Sequence, residues 1–244
     1  MQAWLYHGHH QKYTEDLAFW LACAAKSKGA ILELGCGTGR VSLFLAEHGF
    51  TVFGIDISFD MLRTMQAIAS KRLVKPLKII QADFSGLHLG YTFPAIILPC
   101  NTYSTLSPDA RKATLQRVRQ HLTENGVFTV SMINPARLST LPAIAGQEPE
   151  VFFEHPLDGN PVEVFSSWEK PDEHRITFTW TYDHLFPDGT IERRKTSVTQ
   201  FIIDKETCLN EFDKAGFTKL TLFGDFQNNR YDQSSPYLII RAAR

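Results

Sequence analysis

The chain has no excess of either charge and no pairing pattern among its cysteines. It also has no apolar run long enough to span a bilayer. Lys and Arg number 25 against 26 Asp and Glu, a formal net charge of −1. No electrostatic footprint for a phosphate backbone follows from such a balance, so nucleic acid is not an expected partner. The basic runs that do occur, Lys71-Arg72 and Arg193-Arg194-Lys195, are short and read as solvated faces. Four cysteines (Cys23, Cys36, Cys100, Cys208) share no Cys-x-x-Cys spacing and read as reduced small hydrophobes of a cytoplasmic protein. No apolar stretch approaches the roughly 18 residues of a membrane span, and no charged-then-apolar leader opens the chain. Repeats and low-complexity segments are missing too. What remains is a soluble enzyme of one large domain, or a domain with an insertion.

What is present is concentrated in one stretch. Ile31-Leu32-Glu33-Leu34 is an apolar strand running into Gly35-Cys36-Gly37-Thr38-Gly39-Arg40, and a second apolar strand, Thr51 to Ile55, ends on Asp56. Glycine supplies positive φ and close backbone approach where a side chain would clash. A carboxylate about 20 residues after the first glycine lies where the second strand of a nucleotide-binding βαβ unit meets ribose hydroxyls. The pair implies an adenosine-containing ligand. A dinucleotide fingerprint spaces its glycines G-x-G-x-x-G; here the third comes one residue early, and Arg40 fills the late position. Glu33 would repel a pyrophosphate but suits a ligand carrying an ammonium group.

Glu33-x-Gly35-x-Gly37-x-Gly39 resembles the first motif of class I S-adenosylmethionine-dependent methyltransferases. Further stretches carry the same resemblance in order. Asp56, followed by Ile57-Ser58 and the helix-starting Met61, corresponds to the carboxylate that bonds both ribose hydroxyls. Ile79-Ile80-Gln81-Ala82-Asp83-Phe84 is similar to the third motif, which implies Asp83 at the adenine amino group and Phe84 beside the ring. Phe93 to Pro99 is similar to the fourth strand, with Leu98 at its end over the reaction centre, although Pro94-Ala95 replaces the usual acidic residue. Gly126 to Ser131 matches the fifth strand. The resemblance implies S-adenosyl-L-methionine as cofactor, with S-adenosyl-L-homocysteine as product. It also implies an α/β fold: a Rossmann-like, doubly wound, mostly parallel seven-stranded sheet with helices on both faces. Strand–helix alternation up to about residue 133 agrees.

Helices are expected over 11–27 and 38–48, from Ser58 to about residue 70, and from Ser107-Pro108-Asp109 onward. After residue 133 the pattern changes. Segments 150–154, 161–169, 175–185 and 190–203 read as antiparallel strands, with Phe186-Pro187-Asp188-Gly189-Thr190 as a hairpin turn. Asp204 then caps a last helix ending at Ala215-Gly216, and strands 218–224 and 237–242 finish the sheet. The expected organisation is therefore a cofactor-binding core of 1–133 and 201–244 with an antiparallel β insertion at 134–200. The position of that insertion resembles the lid of methyltransferases acting on amino sugars and other small amines. A small-molecule acceptor, most readily an amine, follows from that resemblance; the bland alternative is a dimer interface, and both a monomer and a homodimer stay open.

Candidate catalytic residues come from the loop after the fourth strand. Asn101 and Tyr103 are placed to orient a nucleophile or line its pocket, against the plainer reading of a loop bonded to its own backbone. The resemblance also implies a tyrosine closing over the cofactor, for which Tyr13 is preferred to Tyr6. His7, His9 and His10 have no carboxylate or cysteine at ligand spacing and read as a mobile polar N-terminus, so no metal is expected. His155 and His184 are candidate substrate-side bases or satisfied sheet residues. Trp168, Trp180 and Tyr182 are a candidate aromatic wall for a cationic amine or a buried strand face. Rival readings are an oxygen, nucleic-acid or protein methyltransferase, a nicotinamide oxidoreductase, and a non-catalytic cofactor-binding regulator. The third-glycine position and Asp83-Phe84 disfavour the oxidoreductase.

Overall fold

A computed structural model describes residues 2–72 and 76–244. Apolar runs bounded by glycine turns and capped helices build a seven-stranded sheet. Its first half alternates strand and helix: β1 (Ile31–Leu34), α3 (Arg40–Glu47), β2 (Val52–Asp56), α4 (Phe59–Arg72), β3 (Leu77–Gln81) and β4 (Phe93–Leu98). Two N-terminal helices, α1 (Gln2–His10) and α2 (Leu17–Ala25), precede it. Helices α5 (Thr102–Thr105) and α6 (Pro108–His121) lead to β5 (Leu122–Ile133), and α7 (Pro135–Thr140) follows. A second, antiparallel sheet then runs β6 (Ile144–Glu154), β7 (Pro161–Asp172), β8 (Arg175–Leu185), β9 (Ile191–Phe201), before α8 (Lys205–Lys214), β10 (Lys219–Phe223) and β11 (Tyr237–Ala243).

The large sheet has the order β10-β11-β5-β4-β1-β2-β3, and the small one β6-β7-β8-β9. Strands β1 to β5 pair parallel, while β11 lies antiparallel to β5 and to β10. The expected fold class is thus observed. Chain order reverses between β1 and β4, which opens a crevice at their carboxyl ends, where ligands bind in open α/β sheets. One face of the sheet buries Leu32, Leu34, Phe128 and Phe212, and the other buries Ile31, Ile97, Trp20 and Leu45. This alternation fixes which strand residues look into the crevice. Caps are where the side chains allow them: Ser107 accepts from the Ala110 amide with Pro108 at the first helical position, and Asp204 accepts from the Thr207 amide. Among the described residues no helix is long and apolar enough to cross a membrane.

The N-terminus departs from expectation. One helix over 11–27 and a mobile start are replaced by two helices, with a turn from Gln11 to Asp16 between them. Helix α1 is nine residues long, and isolated helices that short are unstable in water. It persists because it is packed: Leu5 joins Phe153, Val162, Val164 and Tyr182 in a cluster on the small sheet. Gly8 permits the approach, since a Cβ there would lie 2.2 Å from the Phe153 ring. Nothing local in Gln2–His10 announces a partner 145 or more residues away. The small sheet also starts earlier than expected, at Ile144, on a mostly exposed edge strand without clear alternation.

Candidate active site

Three left-handed glycines make the turn after β1: Gly35 (φ 65°), Gly37 (φ 55°) and Gly39 (φ 85°). A Cβ at Gly35 would meet Thr102 at 2.8 Å, and one at Gly39 would meet Met65 at 2.6 Å, so the turn is both strained for other residues and tightly packed. Asp56, at the end of β2, holds it. Its carboxylate accepts from the Gly37 amide and from the Ser58 amide, both at 2.8 Å. Ile57 beyond it is 67% exposed, and Met61 on α4 borders the crevice. Glu33 is 3% exposed, accepts from the Ser42 hydroxyl and borders a small cleft with Gly35 and Gly37. Burial pushes its carboxyl up to about 7, opposed by the Ser42 hydrogen bond.

The loop after β4 is the second wall. Cys100 (φ 59°) and Asn101 (φ 64°) are consecutive left-handed residues without being glycine, a costly conformation that marks functional loops. Asn101 pays for it locally: its side-chain oxygen accepts from the Ile133 amide at 2.7 Å and its own amide donates to Ser131. Asn101 therefore ties β4 to β5 while facing the crevice. Tyr103 does not. Its ring is fully buried and its hydroxyl donates to Glu211 at 2.6 Å, where Arg111 also binds. The structure places the Tyr103 side chain in the core and not on the cavity, two residues past Asn101 in α5. Leu98, at the end of β4, is likewise wholly buried in the sheet core. Phe84 also packs into that core, while Asp83 is exposed and caps the turn at Phe84–Gly86 by accepting from Ser85.

A cavity of about 520 Å³ lies between these loops and the small sheet. Arg40, Tyr13 and Asn101 line it from the core side, and Phe178, Trp180, Tyr182 and Gln200 from the small sheet. Tyr13 meets the hydroxyl of Tyr237 at 3.0 Å and lies under the Arg40 guanidinium, 5.0 Å from its ring centre. Arg40 makes a bidentate pair with buried Asp16 at 2.5 and 2.7 Å, and Trp20 donates to the same carboxylate at 2.8 Å. Residue spacing had singled out neither Arg40 nor Asp16 as a site residue. Their one signal is an arginine directly after the glycine turn and an acid in the polar stretch before α2. Tyr6 also enters the crevice, and burial there raises its hydroxyl far above the ordinary range.

The histidines are redistributed by the fold. His7 is buried beside Thr38, and desolvation lowers it to about 4. His10 lines the cavity and is lowered to about 3 by burial and by the adjoining His9. Elsewhere, His155, Asp158 and His184 bring three donor atoms within 4.8 Å of one another at the end of the small sheet, none of them lining the cavity. Trp180 and Tyr182 face the cavity as a wall, whereas Trp168 does not reach it and donates to Pro142 instead.

Residues 31–126 match the family described as a methyltransferase domain. The putative methyltransferase YqeM of Bacillus subtilis (strain 168) is 34% identical over 239 residues, covering 92% of this chain and 88% of that protein. Among solved structures, an S-adenosylmethionine-dependent methyltransferase from Clostridium acetobutylicum ATCC 824 superposes with a TM-score of 0.81 at 16% identity, over 98% of this chain and 97% of that one. The sugar N-methyltransferase KedS8 from Streptoalloteichus sp ATCC 53650 superposes with a TM-score of 0.77 at 16% identity, over 100% and 92%.

Proposed function

This chain belongs to the S-adenosylmethionine-dependent methyltransferases, and we propose that it methylates a nitrogen of a small molecule enclosed beneath the antiparallel sheet. The observation that carries the reading is the cavity of about 520 Å³ between the crevice loops and the aromatic strip Phe178, Trp180 and Tyr182. Its size suits a small metabolite, and its aromatic wall suits a cationic amine. Residues 134–200 act as the lid in this reading. The named activity of KedS8 on a sugar nitrogen supports it by analogy of fold.

The residues at the crevice fit the cofactor. Left-handed glycines leave backbone bare where a Cβ would intrude. Asp56 presents a carboxylate at the end of β2 for the ribose hydroxyls, and exposed Asp83 presents one at the end of β3 for the adenine amino group. Ile57 and Met61 flank the adenosine, and Glu33, beneath the turn, serves the ammonium end. The cofactor supplies an activated methyl group on a sulfonium. This chain's part is alignment and exclusion of water. Holding two reactants in line can lower a barrier by about 7–11 kcal/mol in favourable cases. Asn101 keeps the β4 loop rigid beside the acceptor, and Tyr13 closes the core side.

Isothermal titration with S-adenosylmethionine, S-adenosylhomocysteine and NAD tests the cofactor site, and S-adenosylhomocysteine release against panels of amines and alcohols tests the acceptor. Binding of the first two ligands and turnover of amines are expected. Turnover of hydroxyl acceptors alone would overturn the nitrogen assignment.

A further inference from the structure

Helix α1 and the small sheet place a histidine between a tyrosine of the cavity wall and a carboxylate. His9 Nδ1 lies 3.0 Å from the Tyr182 hydroxyl, and His9 Nε2 lies 2.9 Å from Glu150 Oε1. Trp180 Nε1 donates to the other Glu150 oxygen at 3.0 Å. The Glu150 position is unusual. Pairing of β6 with β7 steps from Pro149↔Phe165 to Val151↔Val164, so Glu150 is the extra residue of a bulge. A bulge re-aims a side chain, and this one sends the carboxylate onto the face that carries Trp180 and Tyr182. Tyr182 is 2% exposed and lines the cavity.

An ionised carboxylate only accepts, so His9 Nε2 donates to it, and the tautomer with its hydrogen on Nε2 leaves Nδ1 as an acceptor. The Tyr182 hydroxyl then donates to Nδ1, and its oxygen has a lone pair for an N–H in the cavity. We propose that Tyr182, His9 and Glu150 form a proton relay that deprotonates the ammonium form of the acceptor, an inference that rests on the nitrogen reading above. The acceptor's proton passes to the Tyr182 oxygen as the Tyr182 proton passes to His9 Nδ1. The result is a neutral amine, a neutral tyrosine and an imidazolium beside the Glu150 carboxylate. The freed lone pair forms the N–C bond while the methyl C–S bond breaks, its electrons going to sulfur. Glu150, 35% exposed at its side chain, is the outlet to solvent. Tyr182 is the catalytic residue; His9 and Glu150 act through it.

Other charged groups around the relay are accounted for. His10 stacks on His9 at 4.1 Å and is held neutral by burial, and Tyr6 shares the crevice. Arg40 is matched by Asp16. Arg194, opposite Tyr182 on β9, pairs with Glu192, and on β7 the residues opposite Tyr182 and Trp180 are Val164 and Ser166. Hydrogen bonds from His9 and Trp180 keep Glu150 below the ordinary carboxylate range.

Nitrogen-15 NMR of the His9 imidazole in the full chain with S-adenosylhomocysteine reads the tautomer directly. The expected spectrum has a protonated Nε2 and an unprotonated Nδ1 whose shift moves in Tyr182→Phe. The reversed tautomer overturns the relay. Tyr182→Phe and His9→Gln are then assayed on the best amine of the panel. Both are expected to bind cofactor as the wild type does and to lose about 100-fold in rate at pH 7, with the gap closing toward pH 10 as free amine accumulates. Wild-type rates at every pH in both variants overturn the relay and leave the nitrogen reading intact. Wild-type turnover of hydroxyl acceptors alone overturns the nitrogen reading and removes the proton this relay would carry.

Discussion

Replacing Asp16 by Ala should cost the protein a large part of its stability. Asp16 is 1% exposed, and its carboxylate accepts two hydrogen bonds from Arg40 and one from the Trp20 indole. Breaking a buried ion pair from one side costs about 3–5 kcal/mol, because the remaining charge is left uncompensated. An orphaned indole N–H adds a penalty of about 1–3 kcal/mol that is not independent of the first. Arg40 retains the Tyr13 carbonyl, the Cys100 sulfur and the Tyr13 ring, so the low end, about 3 kcal/mol, is the reasoned value. For a chain of this size each kcal/mol shifts the melting point by about 2–4 °C, giving a fall of about 6–12 °C. Calorimetry and urea unfolding measure it. The double variant Asp16→Ala/Arg40→Met should recover at least half of the loss, because it removes the stranded charge along with its partner. A single variant within 1 kcal/mol of wild type, or a double variant no better than the single, would refute the reasoning (thresholds set at about the size of one ordinary hydrogen bond).

Tyr103→Phe removes a charge-assisted hydrogen bond to Glu211 and should cost about 1.5–3 kcal/mol of stability with turnover retained; a large loss of turnover at unchanged stability would return Tyr103 to the cavity. Gly8→Ala gains about 1 kcal/mol of helix propensity but drives a Cβ into the Phe153 ring. Hydrogen exchange should therefore show residues 2–10 less protected, and equal or better protection would contradict the packing. Glu33 has a folded-state value of about 7, above its ordinary 4.5. The folded state holds this proton more tightly, so the contribution of Glu33 to stability is fully present below about pH 4.5 and is lost as pH rises to about 7, about 3 kcal/mol in all. Glu33→Gln should flatten that segment of the unfolding profile, and an unaltered slope would show that another group sets it. Asp56→Ala loses the carboxylate that fixes Gly37 and should weaken S-adenosylmethionine binding at least tenfold by titration; affinity within a factor of two would remove Asp56 from the cofactor site.

The sequence by itself determined the large sheet and the glycine turn that Asp56 holds. The glycine turn, Asp56 and the capped helices are local: a backbone dihedral, a strand end and a side chain three residues from its amide partner are set by neighbours in the chain. The tertiary structure alone decided the walls of the cavity. Asn101 and Tyr103 stand two residues apart, yet Asn101 lines the cavity and Tyr103, inside α5, is buried in the core. His9 reads as a mobile polar residue until Tyr182, 173 positions away, and Glu150, 141 positions away, close on its two nitrogens. Asp16 and Arg40, 24 positions apart, likewise become a pair only in space. Local backbone preference is encoded within a few residues of where it acts. Polar pairing across a cavity depends on how two sheets dock, and periodicity carries no record of that.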